Sequence, residues 1–213
     1  MNVSTEKLFS ARGLTKHFDG IRAVDSFSFD VAEGSITGII GPNGAGKTTV
    51  FNVVTGIYRP TSGKVLFRSE NITGLRPDRV VRKGIARTFQ NIRLFNRRTC
   101  LDNVITPLFQ RERCSFTGSL LGTPGALRLE RDLYERAFEL LRALGLERFA
   151  SMQANNLPYG LQRKLEIARA LATEPSLLLL DEPAAGMNPG ETRGLANLIA
   201  EVREKFRVTI LLI

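Results

Sequence analysis

Gly41-Pro42-Asn43-Gly44-Ala45-Gly46-Lys47-Thr48 is the stretch from which the rest of this chain is read. It has the form Gly-x-x-x-x-Gly-Lys-Thr, a phosphate-binding loop. Residues 35–40 before it read as a short buried strand. Residues 47–55 after it read as a helix, stopped by Gly56. Gly41, Gly44 and Gly46 let the backbone bend so that successive N–H groups face phosphate oxygens. The helix start adds free N–H groups and a positive dipole end. Lys47 supplies a point charge for the β- and γ-phosphates, and the Thr48 hydroxyl is suited to Mg²⁺. The candidate nucleotide-binding set here is Gly41, Asn43, Gly44, Ala45, Gly46, Lys47, Thr48 and Thr49.

Composition sets the bounds. The chain has 213 residues, enough for one good-sized domain with room for a small inserted subdomain. Its net charge of +9 suits nucleic acid or an anionic membrane surface, or else a solvated basic face that also draws nucleotide phosphates. His17 is the only histidine, which excludes a multi-histidine metal site. Cys100 and Cys114 have no metal-ligand spacing and read as free thiols of a reducing cytosol. Residues 1–10 are polar and mixed, unlike a signal peptide. No apolar run approaches the ~20 residues that span a bilayer, so any membrane role is expected through a partner.

In chain order, residues 1–40 read as strands and turns. Residues 8–14 alternate loosely and 27–31 cleanly, with Glu33-Gly34 as a turn. Between them, Phe18 sits in an exposed turn, where it either stacks on an adenine ring or caps a small sheet core. Residues 59–63 read as a turn and 64–67 as a strand. A basic stretch runs from Arg76 to Arg98, with only Asp78 opposing it. Its first part, 77–83, reads as a short helix and 85–90 as a strand. Gln90 at the strand's end could reach a γ-phosphate or metal, or simply face solvent. Residues 115–125 read as a surface loop. Residues 130–144 form an amphipathic helix with Leu133, Ala137, Leu140, Leu141 and Leu144 on one face, ended by Gly145. This is a helical segment inserted into a mixed α/β core.

A helix through Leu171 follows Leu157-Pro158-Tyr159-Gly160-Leu161-Gln162, where Gly160 frees a backbone N–H for an anion. Leu177-Leu178-Leu179-Leu180 marks a buried parallel strand. Asp181 and Glu182 stand at its C-terminal end, where open α/β sheets place ligands. Asp181 suits the Mg²⁺ shell, and Glu182 suits the general base that polarises attacking water. Residues 191–206 read as a helix with Leu195, Leu198, Ile199, Val202 and Phe206 inward, and 208–213 as a last buried strand.

Taken together, Phe18, the loop at 41–48, Gln90, the segment 157–162 and the run 177–182 resemble the ATP-binding subunits of ABC transporters, nearly end to end. Gly84-Ile85-Ala86-Arg87-Thr88-Phe89-Gln90-Asn91, Leu165-Glu166-Ile167-Ala168-Arg169-Ala170 and Asp181-Glu182-Pro183-Ala184-Ala185-Gly186-Met187-Asn188-Pro189 look like the importers of branched-chain amino acids. The resemblance implies an α/β fold: a P-loop NTPase core with a mostly parallel sheet, an N-terminal antiparallel β subdomain and an inserted α-helical subdomain. It divides the single domain 1–213 into a nucleotide-binding core, 1–90 and 160–213, and the insertion, 91–159. It implies ATP and Mg²⁺ as cofactors, with Thr48, Gln90 and Asp181 on the metal. Phe18 would stack on adenine, and Glu182 and Gln90 would be catalytic. Pro158, Tyr159, Gly160 and Gln162 would bind the nucleotide of a second subunit, and 185–188 would cross the dimer interface. Expected partners are membrane permease subunits, met by residues 93–98, a sister ATPase subunit or a second copy, and indirectly a substrate-binding protein. No nucleic acid is expected. The expected place is the cytoplasmic face of the inner membrane, peripherally bound.

Three positions depart from the family pattern. Pro158 replaces a serine hydroxyl, Leu161 replaces a polar residue, and the chain ends at Ile213, before the family's switch histidine. The chain therefore looks truncated, and weak or absent hydrolysis with retained nucleotide binding is the expectation. Other readings are a non-transport ABC protein acting on nucleic acid or ribosomes, another ABC transporter subunit, and a nucleotide binder that does not hydrolyse.

Overall fold

The computed structural model describes residues 7–112 and 123–213. These residues form two compact units: those within 1–90 together with 175–213, and those within 91–174.

The first unit holds two four-stranded sheets. Strands β1 (Lys7–Phe18), β2 (Ile21–Ala32), β4 (Ser62–Phe67) and β5 (Glu70–Asn71) pair antiparallel in the order β2-β1-β4-β5. Strands β3 (Ile36–Gly38), β6 (Ile85–Arg87), β7 (Leu177–Leu180) and β8 (Thr209–Leu212) pair parallel in the order β3-β8-β7-β6. Helix α1 (Lys47–Val54) shares one core with both. Val50, Phe51, Val53 and Val54 pack with Phe9, Leu14, Val65 and Phe67 of the first sheet and with Ile85, Leu177, Leu179 and Leu211 of the second. Burying a side chain such as Phe51 stabilises the fold by about 1.5–3 kcal/mol. Leu178 and Leu180 point to the other face of β7, and all four leucines are fully buried. Helices α2 (Pro77–Arg82) and α6 (Pro189–Phe206) complete this unit, the latter opened by a reciprocal Asn188–Glu191 capping box.

The second unit packs α3 (Cys100–Arg111), α4 (Pro124–Ala143) and α5 (Tyr159–Leu171), with short 3₁₀ turns at Glu147–Phe149 and Ala154–Asn156. The five positions expected on one face of the helix at 130–144 are all buried. Asn103, fully buried, ties the preceding loop to α3: it accepts from Phe95 N at 2.8 Å and donates to the carbonyls of Phe95 and Thr99. Burial pushes the free Cys100 thiol up to about 11, which leaves it inert. Helix α5, which the sequence reading counted with the nucleotide-binding core, clusters here because it packs on α3 and α4.

Several expectations shift. The strand before the phosphate loop is three residues long and not buried. Among the described residues it is an edge strand with only β8 beside it, and Ile40 beyond it is 97% exposed. The strand read as 85–90 ends at Arg87, so Gln90 lies beyond it. Helix α4 starts at Pro124 rather than at Glu130, because the Thr123 side chain caps it and Pro124 fits its first turn. Gly125 is therefore helical, while residues 115–122 of that expected loop lie outside the described residues. Helix α3 escaped the sequence reading: Pro107 interrupts its pattern, although Thr99 and Asp102 form a capping box at its start. The basic stretch meets more acid than Asp78. Lys83 pairs with Glu70 at 2.6 Å and Arg87 with Asp181 at 2.6 Å. Phe206 is only half-buried.

Asp30 shows how the antiparallel sheet is pinned. Ser10 Oγ donates to it at 2.6 Å, and Lys7 and Arg12 pair with it at 3.0 and 2.6 Å. The Ser10 hydrogen bond, with help from the two cations, holds its carboxyl below the ordinary 3.8, at about 2. A lowered folded-state pKa stabilises the fold above the unfolded value and loses that effect as pH falls through the folded one. Asp30→Asn should therefore lower the urea midpoint at pH 6, and its gap to the parent should close as pH falls from about 4 towards 2. A gap that stays constant down to pH 3 contradicts this.

Candidate functional site

The phosphate loop is held by what Gly46 touches. Gly46 has φ +83° and is the N-cap of α1, with no side-chain cap. A Cβ there would stand 2.1 Å from the Ala23 carbonyl oxygen, so β2 and the loop meet backbone to backbone. Val50 N donates to Gly46 O at 2.9 Å, the first bond of the helix. The N–H groups of the preceding turn have no intrahelical acceptor and suit an anion. Lys47 Nζ donates to the carbonyls of Gly41 and Pro42, at 2.8 Å each, and so lies across its own loop.

A cleft of about 330 Å³ is lined by Ala23, Asn43, Gly44, Gly46, Lys47, Thr48, Thr49, Gln90 and Glu182. The structure thus gathers most of the expected loop residues, together with Gln90 and Glu182, around one space. Gln90 Nε2 donates to Glu182 Oε2 at 3.0 Å, which orients the carboxylate. Glu182 has φ +46°, a left-handed backbone that is strained for a side-chain-bearing residue. Its N–H donates to Ile213 O at 3.1 Å, and its carbonyl accepts from Ala185 N at 3.0 Å.

Asp181 is fully buried beside it. Its Oδ2 accepts from Arg87 at 2.6 Å, and its Oδ1 has no hydrogen-bond partner among the described residues. Magnesium is a hard cation that takes oxygen ligands and keeps several waters. Asp181 does not itself line the cleft, but it directly precedes Glu182, which does, as does Thr48. A buried carboxylate oxygen without a partner among the described residues, at that place, fits that ion.

Phe18 is half-buried at the end of β1 and does not line the cleft. Its ring meets Tyr58 edge-on at 5.1 Å, with Lys16 Nζ 4.8 Å from its centroid. Pro158, Tyr159, Gly160 and Gln162 belong to the second unit. Pro158 is the N-cap of α5 and offers no side-chain acceptor. Gln162 Nε2 donates to Leu157 O at 2.8 Å. Arg163 donates to Tyr159 Oη at 3.0 Å and to Glu166 at 3.1 Å, in a buried pair. Glu166 also accepts from Arg93 N at 3.4 Å, and Arg169 stands over the Phe95 ring. Arg87 and Glu166 appear in the sequence reading only inside quoted motifs or the basic stretch, and none of Arg87, Arg163 and Glu166 is given a role there. The signal for Arg87 was a charge inside the strand Ile85–Arg87, next to the all-leucine strand.

A phosphate-loop helix between two sheets, a parallel strand ending in two carboxylates and a separate helical unit define the ATP-binding domain of the ATP-binding-cassette class. The family model for the ABC transporter matches residues 24–185, and the chain belongs to that family. It is 44% identical to the high-affinity branched-chain amino acid transport ATP-binding protein LivG of Escherichia coli K12, over 98% of this chain and 82% of that protein. It is 45% identical to the corresponding BraF of Pseudomonas aeruginosa, over 97% of this chain and 81% of BraF. Among solved structures, it is similar to the ADP conformation of an ABC transporter's ATP-binding cassette, with a TM-score of 0.83 and 34% identity, covering 98% of this chain and 81% of that one. It is also similar to a dimeric cassette in a post-hydrolysis state bound to ADP and phosphate, with a TM-score of 0.77 and 27% identity, covering 96% and 86%. The mixed α/β architecture is that of these ABC ATPases, and ATPase activity goes with the family.

The Ala23 contact makes Gly46 the most sensitive position of the loop. Gly46→Ala should destabilise the protein by about 1–3 kcal/mol and abolish nucleotide binding. Thermal melting and binding of a fluorescent ATP analogue check this, and parental values for both would contradict it.

Proposed function

We propose that this chain is the ATP-binding and ATP-hydrolysing subunit of an importer for branched-chain amino acids. The cargo reading rests on the identity to LivG and BraF. The observation that carries the chemistry is the Glu182 carboxylate, held by Gln90 on the rim of the cleft that Lys47 and Thr48 line. In this reading the loop N–H groups and Lys47 bind the triphosphate, and Phe18 stacks on adenine. Thr48, Gln90 and Asp181 would hold Mg²⁺, which supplies positive charge against the phosphates when bound. Glu182 accepts a proton from the attacking water. Two such subunits would close over two nucleotides, each site completed by the other subunit's Pro158, Tyr159, Gly160 and Gln162. With no hydroxyl at Pro158, the first N–H groups of α5 would meet the γ-phosphate. The partner is a sister ATPase or a second copy.

No described helix is long and apolar enough to cross a membrane. In the importer reading, attachment at the cytoplasmic face of the inner membrane comes through permease subunits.

Glu182→Gln should lower ATP turnover by roughly 10²- to 10⁴-fold and leave nucleotide binding intact. Turnover within a fewfold of the parent sinks the general-base role. In cells lacking the gene, uptake of labelled leucine, isoleucine and valine should fall. The parental gene in full should restore it and Glu182→Gln should not. Unchanged uptake of all three after gene loss contradicts the cargo reading.

A further inference from the structure

Arg87 is heavily engaged beside the site, bonded both to the carboxylate pair and to the phosphate-loop helix. Its guanidinium donates to Asp181 Oδ2 at 2.6 Å and to Asn52 Oδ1 at 2.7 Å, with a longer bond to Thr55 Oγ1 at 3.3 Å. Its carbon centre lies 5.4 Å from the Phe51 ring centroid and 5.0 Å from that of Phe89. The Arg87 side chain is 5% exposed, and that of Asp181 is 0%. One planar group thus joins the end of β6, the end of β7 and the buried face of α1.

We infer that Arg87 is a positioning residue, which fixes the Asp181 carboxylate relative to the phosphate-loop helix so that Oδ1 is presented to the nucleotide's divalent cation. Three physical points carry this. A carboxylate bonded through one oxygen to a rigid fork cannot rotate freely, so the partnerless Oδ1 keeps one direction. The same fork holds Asn52 of α1 and Thr55, the residue that caps its C-terminus, in the helix that begins at Lys47 and Thr48, so both sides of the cation site share one reference point. The charge of Arg87 also balances Asp181, which would otherwise bring a second negative charge beside Glu182 and a triphosphate. Lysine would retain the charge but, as a single point donor, could not reach Asp181 and Asn52 in one plane.

The inference rests on reading Asp181 as the cation-side carboxylate, and the experiment separates the two. Binding of the non-hydrolysable analogue AMP-PNP is measured without metal and across a Mg²⁺ titration, for the parent, Arg87→Lys, Asn52→Leu and Asp181→Asn. Outer partners of metal ligands typically matter 10- to 100-fold, so Arg87→Lys should raise the Mg²⁺ concentration for half-maximal enhancement by roughly tenfold. Metal-free binding should stay within about twofold. Asn52→Leu leaves the Arg87–Asp181 pair in place and should shift the same midpoint in the same direction by less; it decides the matter if Arg87→Lys does not fold. A parental Mg²⁺ midpoint in the variants, with a shifted one in Asp181→Asn, overturns the role of Arg87 alone. An equal loss of metal-free and metal-dependent binding overturns it too, because that marks general damage to the fold. A parental midpoint in Asp181→Asn overturns the cation reading itself.

Discussion

The seat of helix Lys47–Val54 is the constraint on which the nucleotide end depends. Its apolar face, Val50, Phe51, Val53 and Val54, is buried in a core that draws on both sheets. Its first residue can enter only where Gly46 lies against the Ala23 carbonyl, with no room for a side chain. Apolar burial supplies the stability, and the backbone contact supplies the position. Together they aim the helix's unpaired N–H groups into the cleft.

The second half of the site is delivered by a strand. Four leucines bury β7 on both faces, and the strand stops where the chain turns polar at Asp181 and Glu182. The two neighbouring carboxylates then meet different environments. Asp181 is enclosed and paired with Arg87, whereas Glu182 is turned into the cleft on a left-handed backbone and held by Gln90. The parallel sheet brings Arg87 and Leu179 into register, so residues far apart in sequence act on one carboxylate pair. In the helical unit, the Arg163–Glu166 pair plays a comparable ordering role, fastening the first turns of α5 to the loop at Arg93.

Much of this was legible beforehand. The phosphate loop, the leucine run and the amphipathic helix with Leu133, Ala137, Leu140, Leu141 and Leu144 inward carry local signals, because glycine spacing and apolar period act within a few residues. What was hidden is long-range. Arg87 read as one more cation in a basic stretch, since nothing local shows that Asp181 and Asn52 converge on it. Helix Cys100–Arg111 was masked by Pro107, and the early start of α4 by the weight given to its apolar period over the cap at Thr123. The strand read at 35–40 was expected to be buried, but burial depends on neighbours, and among the described residues the observed strand Ile36–Gly38 has one. Phe18 stays at the end of its strand against Tyr58, a pairing no period predicts.

The central claim is that this ATP-binding domain powers a transporter for branched-chain amino acids through membrane partners. The most direct measurement is affinity capture of the tagged protein at its natural length from gently solubilised membranes, with the co-purifying chains identified. The account predicts permease subunits and either a sister ATP-binding subunit or a second copy of this chain. Recovery of nucleic acid or ribosomal components with no permease would contradict it, and would leave only the nucleotide chemistry of the cleft standing.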